Sequence, residues 1–165
     1  MQLEEFFDYK NQLMDDLLTS EKIVKLLKGD ATLEDAGDLM YEQVFPFEYI
    51  PETVQDARTF ICCEVDIQRV YNKTFLSPTL FIWVFTHKSL MRLPEGGVRV
   101  DKLCSEICKE INGSRNYGLG ELELATCKRF APITDFQGKV MMFEAKDFNR
   151  THDLAKPAPA NRKRG

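Results

Sequence analysis

The sequence has no apolar run long enough to cross a bilayer. Its longest, "LFIWVF" from Leu80 to Phe85, falls far short of the roughly 20 residues that a spanning helix needs. The opening "MQLEEFFDYK" is acidic where an export signal is basic, so a protein made and kept in a cytosol is expected. The cysteines number five, at 62, 63, 104, 108 and 127, and an odd count without an export signal argues against a disulfide framework. No GxxxxGK[ST] is present, which excludes the common phosphate-cradling loop. "GLGELELA" offers Gly118 and Gly120, but it lacks a third glycine and runs into a strand where a dinucleotide site would open a helix.

What remains is one domain's worth of chain. The 165 residues are 44% hydrophobic and include 12 phenylalanines, enough for a sizeable core without covalent staples. The net charge of -4 is unevenly spread. Residues 1–60 carry 14 acids and 5 bases, residues 61–148 carry 11 and 12, and residues 149–165 carry 1 and 5. An acidic head and a basic tail suit head-to-tail pairing of copies, although two solvated ends explain the same pattern.

Hydrophobic spacing predicts a helix over residues 3–18 with Leu3, Phe6, Phe7, Met14, Leu17 and Leu18 on one side. "SEKIVKLLKG" predicts a second, with Ser20 at its N-cap, Gly29 at its stop, and Ile23, Leu26 and Leu27 buried. "DATLEDAGDL" reads as a loop. In "FPFEYIPET", Pro46 and Pro51 dictate an extended segment whose Phe45, Phe47, Tyr49 and Ile50 pack on this domain or on a neighbouring subunit.

"RTFICCEVDIQRV" alternates, placing Ile61, Cys63, Val65 and Ile67 on one face and Glu64, Asp66 and Gln68 on the other, as in a half-buried strand. "TLFIWVFTHKS" is apolar on both faces and reads as a central strand, antiparallel to the first across the turn "YNKT". After the loop "RLPEGGV" comes a helix ending at "NGS", then strands in "ELELATCKRF" and "GKVMMFEAKDF". The expected fold is α+β: a four-stranded, mainly antiparallel sheet with a helix packed on one face and N-terminal helices, in the order α-α-β-β-α-β-β. Residues 1–148 form one domain, and 149–165 a basic extended arm with Pro157 and Pro159 and little to bury.

Cys104 and Cys108 raise the question of metal or redox chemistry. They fall in the stripe Val100, Leu103, Cys104, Ile107, Cys108, Ile111, opposite Asp101, Lys102, Ser105, Glu106, Lys109 and Glu110. There a free cysteine acts as a small hydrophobe. A zinc site needs further Cys or His ligands, and the adjacent Cys62 and Cys63 leave opposite faces of a strand. Nothing in the sequence pairs His87 or His152 with a nucleophile. The carboxylate pairs Glu64 with Asp66 and Glu121 with Glu123 suit solvated strand faces, and Asp135 and Asp147 lack the motif of a nuclease site. An enzyme or metal protein built on Cys104, Cys108 and His87 remains an alternative. No catalytic, cofactor-binding or metal-binding residue is expected.

The terminus "NRKRG" suits salt-sensitive, sequence-blind phosphate contacts, so a small nucleic-acid-binding module is a further alternative. The acidic body lacks the interleaved aromatic and basic residues of a base reader.

The stretches "VFPFEYIPETVQDARTFICCEVDI", "LFIWVFTHKS", "LPEGGVRVDKLCSEICKEINGS", "GLGELEL" and "GKVMMFEAKDFNR" resemble small structural proteins of the head–tail modules of tailed phages and of phage-like particles of Gram-positive bacteria. The closest kind is the tail terminator, or tail completion, protein. The resemblance covers roughly residues 40–150 and contains no diagnostic motif. It implies a virion protein of the neck, assembled in the host cytoplasm. It implies a ring, usually a hexamer, that caps the last tail-tube ring and meets the head-side stopper. Contact with a contractile sheath is part of the implied role, as is DNA passing through the lumen without specific binding. A head-completion stopper or an adaptor of the connector matches the same pattern. The partner-contact candidates are Phe47 and Tyr49 in the proline-bracketed segment, Arg92, Glu95 and Arg99 in the loop "MRLPEGGVR", and Arg150, Arg162, Lys163 and Arg164 in the arm. A ring needs heterologous contact, one face against a different face.

Overall fold

The computed structural model describes residues 3–29, 33–51, 57–117, 120–148 and 150. The arm beyond Arg150, with His152, Arg162, Lys163 and Arg164, lies outside them. Two helices open the chain, α1 (Glu5–Thr19) and α2 (Glu21–Lys28). A 3-10 helix (Leu33–Leu39) follows, then β1 (Val44–Phe45), β2 (Thr59–Val70) and β3 (Phe75–His87). A 3-10 turn (Lys88–Leu90), α3 (Arg99–Ile111), β4 (Glu123–Phe130), β5 (Phe136–Glu144) and β6 (Asp147–Phe148) complete it.

The class is α+β, with differences in detail from the expected order and strand count. The sheet has six strands in the order β1-β2-β3-β5-β4, with β6 on the far end of β3. β1 pairs parallel with β2, which makes the sheet mixed. Two residues suffice for that strand because Gln43 holds it: its amide donates to the carbonyls of Leu27 and Thr59 at 2.9 and 2.8 Å. The run "GKVMMFEAKDF", expected as one strand, breaks at Ala145 and Lys146 to form β5 and β6. The acidic stretch expected as a loop coils into the 3-10 helix, because Ala36 and Leu39 reach the core.

The long β2–β3 hairpin is antiparallel as expected. Its central strand contains Pro78, a residue that removes a ladder donor. The register shift between Ile67 and Arg69 lies opposite it and absorbs the missing bond. Pairing sets the faces. Ile61, Cys63, Val65, Leu80, Ile82, Val84, Met141 and Phe143 join α1, α2 and α3 in the larger core. Phe60, Cys62, Phe85 and Phe136 form a second cluster on the opposite face, closed by Phe45 and Tyr49. Cys62 and Cys63 thus leave opposite faces, as the sequence implies. The α3 stripe is buried as expected, with Cys108 half-buried at its border.

Two expectations about helix faces fail. Leu3 and Phe7, assigned to the buried stripe of α1, are 60% and 70% exposed; the core takes Leu13, Met14, Leu17 and Leu18 from the later turns. Glu106, assigned to the solvent face of α3, is buried beneath lysine side chains. Lys109 approaches its carboxylate at 2.8 Å, Lys102 at 3.5 Å and Lys22 at 3.8 Å. The hydrogen bond from Lys109 leads in holding its pKa below the ordinary carboxylate value.

Candidate functional site

The cysteines are sorted by burial. Cys62, Cys63 and Cys104 are buried, and Cys127 is exposed on β4. Burial pushes the thiols of Cys62 and Cys104 up to about 12 and raises that of Cys63 as well. Such thiols stay protonated and unreactive near neutral pH. Brief maleimide treatment of the folded protein, mapped by mass spectrometry, is therefore expected to label Cys127 and spare Cys62, Cys63 and Cys104. Rapid labelling of Cys62 would mean that Phe45 and Tyr49 do not close their face of the sheet.

His87 Nδ1 lies 2.7 Å from Ser89 Oγ and its ring meets the edge of Phe136, so it ends a strand beside an aromatic core. Asp135 is ion-paired with Lys88. Among the described residues, no group of three or more His, Cys, Asp or Glu is arranged to hold a metal ion, and no helix is long and apolar enough to cross a membrane.

The partner-contact candidates separate into distinct environments. Tyr49 stacks on Phe45 with ring centroids 4.1 Å apart and meets Phe60 at a tilt at 5.6 Å, so it packs on this domain's own core. Phe47 meets Phe45 edge-on and, with Ile50, remains nearly half exposed. Arg99 is half-buried and donates to the carbonyls of Leu90 at 2.8 Å and Leu26 at 2.7 Å. It fastens the start of α3 to the end of α2. Arg92 and Glu95 are exposed on a tight loop in which Arg92 bridges to Val98. The turn relies on Gly96 and Gly97, whose φ angles of 97° and 92° disfavour other residues. Arg150 reaches back to Glu5 of α1 at 2.6 Å, pinning the root of the arm to the acidic head.

One surface is absent from the sequence reading. At the far end of the hairpin, Val70, Tyr71, Phe75 and Phe148 are all exposed. Phe75 and Phe148 stack with centroids 5.4 Å apart, and the Arg69 guanidinium lies 5.4 Å from the Tyr71 ring. Tyr71, Phe75 and Phe148 form one wall of a cleft of about 650 Å³ whose other lining includes Glu121, Glu123 and Glu144. The signal was present as Tyr71, which opens the "YNKT" turn, and Phe75, which follows it, but only pairing of Phe75 with Phe148 through β6 assembles the patch. β2 is paired with β1 at Ile61 and Cys62, near Phe47 and Ile50. From there to Val70 the strand runs about 30 Å at roughly 3.3 Å per residue. The molecule therefore presents two separate apolar patches at opposite ends of its sheet, of the kind that marks interaction sites.

No curated protein and no solved structure matches the chain. A protein-family model, YomW, matches residues 20–145, from the N-cap of α2 to the end of the β5 ladder, and so covers both long hairpin strands and α3. With well over half its length matched, the chain belongs to the YomW family, which is phage-derived.

Proposed function

We propose that this chain is a structural virion protein that forms a ring at the head-proximal end of a phage tail. It ends tail-tube growth and joins the tail to the neck. Its partners are copies of itself, the tail-tube protein, the head-side stopper and, in a contractile particle, the sheath; DNA passes through the lumen without specific binding. The role is non-catalytic and uses no cofactor. The observation that carries this reading is the pair of unlike apolar patches, Phe47 with Ile50 at one end and the Tyr71–Phe75–Phe148 group at the other. A symmetric dimer needs one self-complementary patch, whereas a ring needs two different ones, each engaged by the next subunit. The phage derivation of the family and the resemblance to head–tail module proteins support the same reading.

Light scattering over a concentration series, alone and with isolated tail-tube rings, tests it. The expected particle contains about six subunits, and Phe47→Glu, which changes an exposed side chain, is expected to return it to the mass of one. A chain that keeps the mass of one subunit in both settings overturns the reading, as does a stable dimer that retains a metal.

A further inference from the structure

Two carboxylates that line the cleft at the hairpin end, Glu123 and Glu144, belong to one row of the sheet, which continues beyond the cleft. Glu144 pairs directly with Glu123 on β4 and with Thr79 on β3, which in turn pairs with Asp66. Directly paired residues share a face, so one row across the sheet reads Asp66, Thr79, Glu144, Glu123. Like charges placed opposite one another destabilise a sheet. Glu123 and Glu144 have no cation partner among the described residues. In the same row, Thr79 Oγ1 is the single buried side-chain polar atom among the described residues with no hydrogen-bond partner. The charged side chains lining the cleft are four acids and two bases, and one of those bases, Arg115, is already paired with Glu121.

The aromatic wall and the carboxylates call for a ligand with two chemistries. Proline-rich segments in the extended polyproline conformation dock on aromatic-lined grooves. Guanidinium and ammonium groups satisfy paired carboxylates. The sequence "KPAPANRKR", Lys156 to Arg164, contains both in one short run. The described chain ends close to the cleft, since Asp147 and Phe148 line it and Arg150 is held by Glu5. The twelve residues from Thr151 to Arg162 reach about 40 Å when extended, ample for a return. Tethering gives such a segment an effective concentration on the order of millimolar, which favours it over a neighbour's copy.

We propose that this cleft is the seat of the chain's own C-terminal segment, with Pro157 and Pro159 against Tyr71, Phe75 and Phe148 and the following cations on Glu123 and Glu144. The proposal stands independently of ring formation. If rings form, the seated segment keeps the hairpin-end aromatics from a neighbour until it is displaced.

Disulfide trapping in the full chain tests the seat. Lys146→Cys lines the cleft, Ala160→Cys lies in the segment, and Cys127→Ser removes the exposed native thiol. Copper–phenanthroline oxidation is expected to give chiefly an intrachain bond at the mass of one subunit. The rate is expected to fall several-fold with Glu123→Gln and Glu144→Gln together, or in roughly 0.5 M salt. A control pair, Glu95→Cys with Ala160→Cys, places the first thiol on the loop at the opposite end. Equal rates for the two pairs would overturn the proposal. Interchain dimers as the main product would overturn it too, by assigning the seat to a neighbour's segment.

Discussion

Replacing Ile107 with aspartate is expected to abolish the folded state. Ile107 lies fully buried in the middle of the α3 stripe, inside the larger core. Loss of the side chain alone costs about 2–5 kcal/mol. The carboxylate that replaces it must ionise without a partner or be protonated, which adds several kcal/mol more. Glu106, one residue away, shows what a buried carboxylate on this helix requires: three lysine ammonium groups within 4 Å. Position 107 faces the sheet, where the neighbours are apolar. Together the costs match the whole stability of an ordinary domain, about 5–15 kcal/mol. Circular dichroism and thermal melting should show an unfolded chain, with Ile107→Val losing only about 1 kcal/mol. An unchanged melt for Ile107→Asp would mean that α3 turns a different face to the sheet.

The second large effect comes from a single methyl group. Gly138 pairs with Phe85 in the β3–β5 ladder. A Cβ at this position would lie 1.9 Å from the Val84 carbonyl oxygen and 2.6 Å from Cα and Cβ of Phe85. Two of those three atoms are backbone, so no rotamer change relieves the overlap. The strands must part, and the second aromatic cluster, in which Phe85 meets Phe60 and Phe136, must part with them. Gly138→Ala is expected to cost about 3 kcal/mol or more, a drop of roughly 10 °C in melting temperature for a chain of this size. Gly37→Ala, with no atom within 4 Å of the added carbon, is the matched control and should change stability by about 0.5 kcal/mol or less. Equal melting of the two variants would mean that β5 does not run this close to β3.

Much of the fold was legible because it rests on local periodicity. Alternation placed β2, the absence of alternation marked β3 as central, and the three-and-one spacing of Val100 to Ile111 gave both α3 and the burial of Cys104. The place of both cysteines was legible on the same basis: they lie in an apolar stripe, and the structure buries Cys104 and half-buries Cys108 against the sheet. The short strands were not legible. β1 and β6 have two residues each, too few for any period, and exist because Gln43 and the end of β3 supply partners from elsewhere in the chain. Gly138 was visible as a glycine within a strand, a mark of close backbone approach, but not which backbone approaches.

Of the candidate contact residues, Arg99 illustrates the limit most directly. Its charge and loop position suggest a partner, and only the structure shows that two carbonyls of its own fold also take hydrogen bonds from it. Leu3 and Phe7 illustrate the converse, since helical spacing tells which residues share a side but not how far along the helix the core extends.

By itself the sequence determined the α+β class, the identity of the long elements, the faces of β2 and α3, and the charge imbalance between the two ends. All of these follow from spacing and composition along the chain, which act over a few residues. Only the tertiary structure decided the remainder. It joined Phe75 to Phe148, set Glu123 against Glu144, fastened Arg99 to the end of α2 and separated the two exposed apolar patches by the length of the hairpin. Those outcomes depend on which distant strands pair and in what register, and pairing is settled by the whole core at once.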